Sequence, residues 1–83
     1  MPNVSEEQIR ILKKSLPASL GMAIKMARKR NNITQTELAV LTLKDRQYIY
    51  KIEKGKVTPN IVTIGVIAKA LDISISKLLE NMQ

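Results

Sequence analysis

The chain has 83 residues and a mass of 9.3 kDa, with 14 Lys and Arg against 7 Asp and Glu, and it contains no His, Cys, Trp or Phe. A chain this short closes over one modest core, so a second domain is excluded. Without imidazole or thiol groups there is no zinc finger, disulfide framework, thiol nucleophile or imidazole base. An enzyme is therefore not expected, nor is a cofactor or metal. The richest apolar stretch, 61–71, is too short for a spanning helix and contains Lys69, so no membrane partner is expected. Residues 1–16 lack the apolar run and cleavage site of a signal peptide and read as mature protein.

The charge is unevenly placed. Residues 1–56 hold 12 Lys and Arg against 5 Asp and Glu, whereas residues 57–83 balance Lys69 and Lys77 against Asp72 and Glu80. An excess of +7 confined to two thirds of the chain suits a polyanionic partner, because each cation set beside a phosphate releases condensed counterions. Nucleic acid is the leading candidate from charge, with an anionic membrane or a merely solvated surface as rivals.

In chain order, Ser5 followed by Gln8 forms a capping box that predicts a short helix from about Glu6 to Ser15, presenting Ile9, Leu12 and Leu16 on one side. Pro17 suits the first turn of a new helix carrying Leu20, Ala23, Ile24 and Ala27 on one face, ended by Asn31 and Asn32. Thr34 and Glu37 form a second capping box for a helix of about two turns. Asp45 offers a fresh N-cap and Gly55 a left-handed stop for the next helix, Arg46 to Lys54. Asn60 caps an apolar helix from Ile61 to Leu71, and Ser74 caps a last one through Leu78 and Leu79. The alternation Ile73-Ser74-Ile75-Ser76 also suits a strand edge, but no partner strand is visible. Five or six helices result, and the class is all-α.

At about 100° per residue, the segment 46–54 gathers Arg46, Gln47, Tyr50, Lys51 and Lys54 on one arc, with Ile49 and Ile52 opposite. Arg and Lys donate to guanine O6 and N7, Gln pairs with adenine N6 and N7, and a Tyr ring contacts a thymine methyl. An amphipathic helix alone is commonplace in soluble proteins. A short helix, a tight turn and a second helix with a cationic outer face are far more specific, because the first braces on the DNA backbone while the second enters the groove.

The order and spacing of Arg28, Thr34-Gln35, Glu37-Leu38-Ala39, Ile49, Ile52-Glu53, Gly55-Lys56, Pro59, Thr63, Ile67-Ala68, Ala70-Leu71 and Leu78-Leu79 carry a resemblance. Over about Leu20 to Leu79 the chain resembles the phage repressor and Cro-type helix-turn-helix family, also called XRE-like. The resemblance implies a lambda-repressor-like five-helix bundle at 17–83, with residues 1–16 as a helical extension. It implies that Arg46, Gln47, Tyr50 and Lys51 face bases. Thr34, Gln35, Lys44, Lys54, Lys56, Thr58 and Asn60 form the implied phosphate-facing set, and Arg28 with Glu53 an ion pair. The implied protein is a cytoplasmic transcriptional regulator of a bacterium, phage or mobile element, binding double-stranded DNA as a homodimer through its C-terminal helices without a small-molecule ligand. Asp45-Arg46, Tyr48-Ile49 and Ile52-Glu53 are also similar to the recognition segment of restriction-modification controller proteins.

Two departures stand out. The family usually has Gly in the turn where this chain has Leu43, followed by a small apolar residue where it has Lys44. Val62 and Val66 replace exposed polar residues, which makes 61–71 apolar nearly all round. Either the N-terminal helix, through Ile9 and Leu12, or a second copy is expected to cover that surface. The rival reading from another class is an antitoxin-type protein-binding module, for which only residues 1–16 supply a partner-binding tail.

Overall fold

A computed structural model of the protein describes residues 2–83, in which five α-helices follow one another without strands: α1 (Glu6–Arg30), α2 (Gln35–Leu41), α3 (Arg46–Glu53), α4 (Ile61–Ala70) and α5 (Ile75–Glu80). Every helix begins on a side-chain cap. Ser5, Thr34, Asp45, Asn60 and Ser74 each accept a first-turn amide at 2.7–3.1 Å, and Gln8 and Glu37 reach back to complete the boxes at Ser5 and Thr34. These satisfy amides that the helix itself leaves unpaired.

Four of the five helix ends are alike. Asn32, Leu43, Gly55 and Asp72 all take left-handed backbone conformations, with φ between 57° and 73°. In each case the next amide bonds back over six residues to close the terminal turn: Ile33 to Arg28, Lys44 to Ala39, Lys56 to Lys51 and Ile73 to Ala68. Asn, Asp and Gly adopt this conformation readily, whereas a Leu does not. The turn between α2 and α3 therefore keeps the usual shape with an unusual residue, and Leu43 gains nothing from burial, being 92% exposed.

The sequence expectation fails at one point in the first helix. Pro17 does not open a new helix but lies inside α1, which runs unbroken for 25 residues. Proline removes one amide donor, the one that would serve the carbonyl of Lys13, and Lys13 lies in a solvent-exposed stretch where water can take its place. Continuing the helix also keeps a single costly nucleation instead of two. The extension is thus helical but not a separate element. Residues 2–16 are exposed, and Pro17 is the first buried residue.

The core joins all five helices through Leu20, Ile24 and Ala27 of α1, Leu38 of α2, Ile49 and Ile52 of α3, Ile67 of α4 with Leu71 at its end, and Leu78 of α5. Helix α1 packs on α3 and α5, and α4 packs on α5 and α2. The crossing of α1 over α3 is the tightest contact: a Cβ on Gly21 would lie 2.2 Å from the carbonyl oxygen of Ile52 and 2.8 Å from that of Glu53. Only glycine permits that approach. Among the described residues no helix is long and apolar enough to cross a membrane.

Helix α4 is not covered by the N-terminal helix, since Ile9 and Leu12 are themselves exposed and Val62 remains 71% exposed. Of the two coverings considered for α4, the one within the chain is excluded.

Leu43→Gly relieves left-handed strain of about 1–2 kcal/mol and gives back part of it through the greater freedom of unfolded glycine. The expected net gain is about 1 kcal/mol, read as a rise in thermal midpoint of several degrees. A lowered midpoint would show that Leu43 is held by a favourable contact.

Candidate nucleic-acid interface

The recognition candidates stand on α3, whose position is set from below. Ile49 and Ile52 are fully buried, and Glu53, at the helix end, turns inward to Arg28. With that side anchored, Arg46, Gln47, Tyr50 and Lys51 emerge together on the opposite face, and all four are exposed. The flank expected to read DNA is therefore free within the chain.

Arg28 and Glu53 form a bidentate pair, with Nε donating to Oε2 at 2.6 Å and Nη2 to Oε1 at 3.0 Å. Both side chains are nearly removed from solvent, at 10% and 2% exposure. The third nitrogen is used as well, because Arg28 Nη1 donates to the carbonyl of Ile33 at 2.9 Å. The hydrogen bond that Arg28 donates to Glu53 holds its guanidinium above the ordinary arginine pKa; burial opposes this, and the carboxylate charge adds to it. The guanidinium thus stays charged at any pH the folded protein meets.

The pair does not end there. Gln35 Nε2 donates to Glu53 Oε1 at 3.0 Å, and Arg46 Nη1 donates to Gln35 Oε1 at 3.3 Å. A chain of hydrogen bonds runs from the core through the first residue of α2 to the first residue of α3. Gln35, expected against phosphate, is half-buried and holds Arg46, while Arg46 itself remains exposed. Sequence spacing gave no sign of this link.

Of the other expected phosphate-facing residues, the three lysines lie against the tyrosines of α3. Lys54 and Lys56 set their ammonium groups 5.9 and 5.6 Å from the Tyr50 ring centre, and Lys44 lies 5.3 Å from that of Tyr48. Aromatic faces attract cations at these distances, so three of the lysines are oriented by rings. Thr58 is exposed. Thr34 and Asn60 use a side-chain oxygen as caps, which leaves the Thr34 hydroxyl hydrogen and the Asn60 amide nitrogen available to donate. An open depression of about 500 Å³ lies beside α2, lined by Thr34, Gln35 and Arg46 but also by Lys29, Asn32 and Thr36. Sequence reasoning missed these last three, because they come together with Arg46 only when the end of α1 and the start of α2 pack beside α3.

The helix-turn-helix family matches residues 24–78, which span α2, the turn and α3 with the helices that hold them. Over 60 residues the chain is 33% identical to an immunity repressor protein of Bacillus phage phi105, covering 72% of this chain but 42% of that protein. The chain thus spans less than half the length of that repressor. Among solved structures it is similar to the restriction-modification controller protein C.AhdI from Aeromonas hydrophila, with 31% identity, 75% of this chain and 90% of the other covered, and a TM-score of 0.72. It is also similar to the hypothetical transcription factor NHTF from Neisseria, with 25% identity, 95% and 84% coverage, and a TM-score of 0.74.

Glu53→Ala leaves the Arg28 guanidinium buried without its counter-charge, and breaking a buried pair in this way costs about 3–5 kcal/mol. Urea unfolding should show a loss of that order, a large fraction of the stability of a small domain. An unchanged midpoint would mean that the pair contributes no net stability.

Proposed function

Because this chain belongs to the helix-turn-helix family, we propose that it is a transcriptional regulator that binds double-stranded DNA sequence-specifically, laying α3 in the major groove of a pseudo-palindromic operator. The observation that carries this is the face of α3 itself. Arg46, Gln47, Tyr50 and Lys51 project from a helix whose other side is locked into the core by Ile49, Ile52 and Glu53. Arg46 and Gln47 supply the donor and acceptor pairs that distinguish guanine and adenine edges. Lysines 44, 54 and 56 border this face and supply the sequence-independent attraction to phosphate.

Gln35 links the two halves of the unit. By accepting from Arg46 and donating to Glu53 it restrains a side chain that must otherwise lose rotamer freedom on binding, and its position at the start of α2 sets it where a bracing helix meets the DNA backbone. The relatives share this reading: one is described as an immunity repressor and another as a restriction-modification controller.

The regulator acts as a homodimer. Ile61, Val62 and Val66 of α4 and Leu41 of α2 form an exposed apolar surface, and Val62, Gly65, Val66 and Leu41 line a shallow groove of about 500 Å³. A two-fold pairing across this surface buries apolar area that the chain leaves in water and presents two α3 helices to major grooves one turn apart, about 34 Å centre to centre.

Binding to DNA from the protein's own upstream region, followed by fluorescence anisotropy at two salt concentrations, tests the reading. Arg46→Ala is expected to cost about 1–3 kcal/mol and to relax choice at one base pair, whereas Gln35→Ala weakens all sites alike. Equal losses at every site for both variants would remove Arg46 from base reading. Val62→Glu is expected to lower the sedimenting mass and to weaken operator binding, while an unchanged mass would place the two-fold elsewhere.

A further inference from the structure

The N-terminal half of α1 has no role in the bundle, yet it is not a polar tail. Ile9, Leu12 and Leu16 are about half-exposed, and further along the same helix Met22 and Met26 are too. At about 100° per residue, Leu12, Ser15, Leu16, Ser19, Met22, Ala23 and Met26 fall within one arc whose C-terminal end carries Arg30, while Lys13, Lys14 and Lys25 lie outside it. The arc is continuous with a groove of about 800 Å³ between α1 and the chain end, lined by Ser15, Ser19, Met22, Met26, Asn81 and Gln83 among others. No residue of α2, α3 or α4 lines that groove, so it is separate from the proposed DNA face and from the α4 surface.

We propose that this arc is a second self-association surface, on which α1 of one copy pairs antiparallel with α1 of another. The occupant follows from self-complementarity. A two-fold axis through Ser19 sets Leu12 of one copy level with Met26 of the other, and Leu16 level with Met22, so each projecting N-terminal half lies on the groove of its neighbour. Small residues, Ser15 and Ser19, occupy the centre, where two helices must approach most closely, with the buried Ala23 beneath them and the Ser19 hydroxyl donating to the carbonyl of Gln83 at the groove's edge. Charge agrees with this direction: Glu6 and Glu7 occupy the first turn of α1, and Arg28, Lys29 and Arg30 the last. Antiparallel pairing brings the acidic turn of each copy beside the exposed Lys29 and Arg30 of the other, whereas parallel pairing sets like charge beside like. A contact along a helix of 25 residues is about 37 Å long.

The α1 surface does not depend on the DNA-binding reading, and it adds to any pairing through α4. Two isologous surfaces on one chain join dimers into larger assemblies, a physical basis for cooperative occupation of neighbouring sites.

Sedimentation velocity on the full chain tests the proposal. Leu12→Glu with Leu16→Glu should halve the mass of the largest assembly and leave the thermal midpoint of the bundle nearly unchanged, because neither residue belongs to the core. If both surfaces pair, the parent is a tetramer or larger, the α1 variant a dimer, and the variant that also carries Val62→Glu a monomer. If α4 does not pair, the parent is a dimer and the α1 variant a monomer. An α1 variant with the parent's mass overturns the proposal whatever α4 does. Direction is read by single cysteines, since the chain has none of its own. Ser19→Cys should form a disulfide-linked dimer under mild oxidation. Leu12→Cys should not, because its two copies would lie about 21 Å apart, beyond the reach of a disulfide. Cross-linking at Leu12 instead of Ser19 would overturn the antiparallel arrangement.

Discussion

The contact between α1 and α3 governs where every recognition side chain stands. Glycine at position 21 lets the two backbones nearly touch, and one turn or two further along α1 the Arg28 guanidinium closes on Glu53 at the end of α3. The first feature fixes the separation of the helices, and the second fixes their rotation, because a bidentate pair tolerates little displacement. A buried ion pair is not by itself a large source of stability, since desolvation of both charges offsets much of their attraction. Its value here is geometric: it turns the last residue of α3 inward and leaves the first residues of that helix facing out.

That contact also explains why the polar network extends to the surface. Glu53 has more acceptor capacity than Arg28 uses, and Gln35 takes up part of it while its own oxygen accepts from Arg46. Three helices are tied by one run of hydrogen bonds that begins in a dry site and ends in a wet one. Rings do comparable work at the margins, where Tyr50 attracts two lysines and Tyr48 a third. Cationic side chains carry much rotamer freedom, and each restraint lowers what the proposed contacts with phosphate would cost.

The remaining surface divides into faces of different character. The α3 face is polar and basic, the α4 face is apolar with Val62 and Val66 outward, and α1 carries an apolar stripe along a helix of which half lies outside the core. Contiguous apolar stripes of this kind, unlike scattered exposure of single residues, are what the two proposed self-association surfaces rest on. The stripes are separate from α3, so the proposed assembly and the proposed recognition do not compete for one surface.

The caps that start the five helices and most of their ends were legible from single residues, because a cap is a local event, whereas their number stayed at five or six until α1 was seen to run through Pro17. Ser5, Thr34, Asp45, Asn60 and Ser74 each sit beside the amide they satisfy, and Gly55 needs no neighbour to take a left-handed turn. The outward arc of α3 followed from helical periodicity in the same way. Pro17 misled because its missing donor is a local defect that a solvated, already nucleated helix absorbs. The bond from Gln35 to Arg46, the closeness that Gly21 permits and the gathering of Lys29 and Thr36 beside α3 belong to the tertiary structure alone. They join residues that spacing cannot relate, since the angle at which two helices cross is set by packing between them and not by the pattern within either.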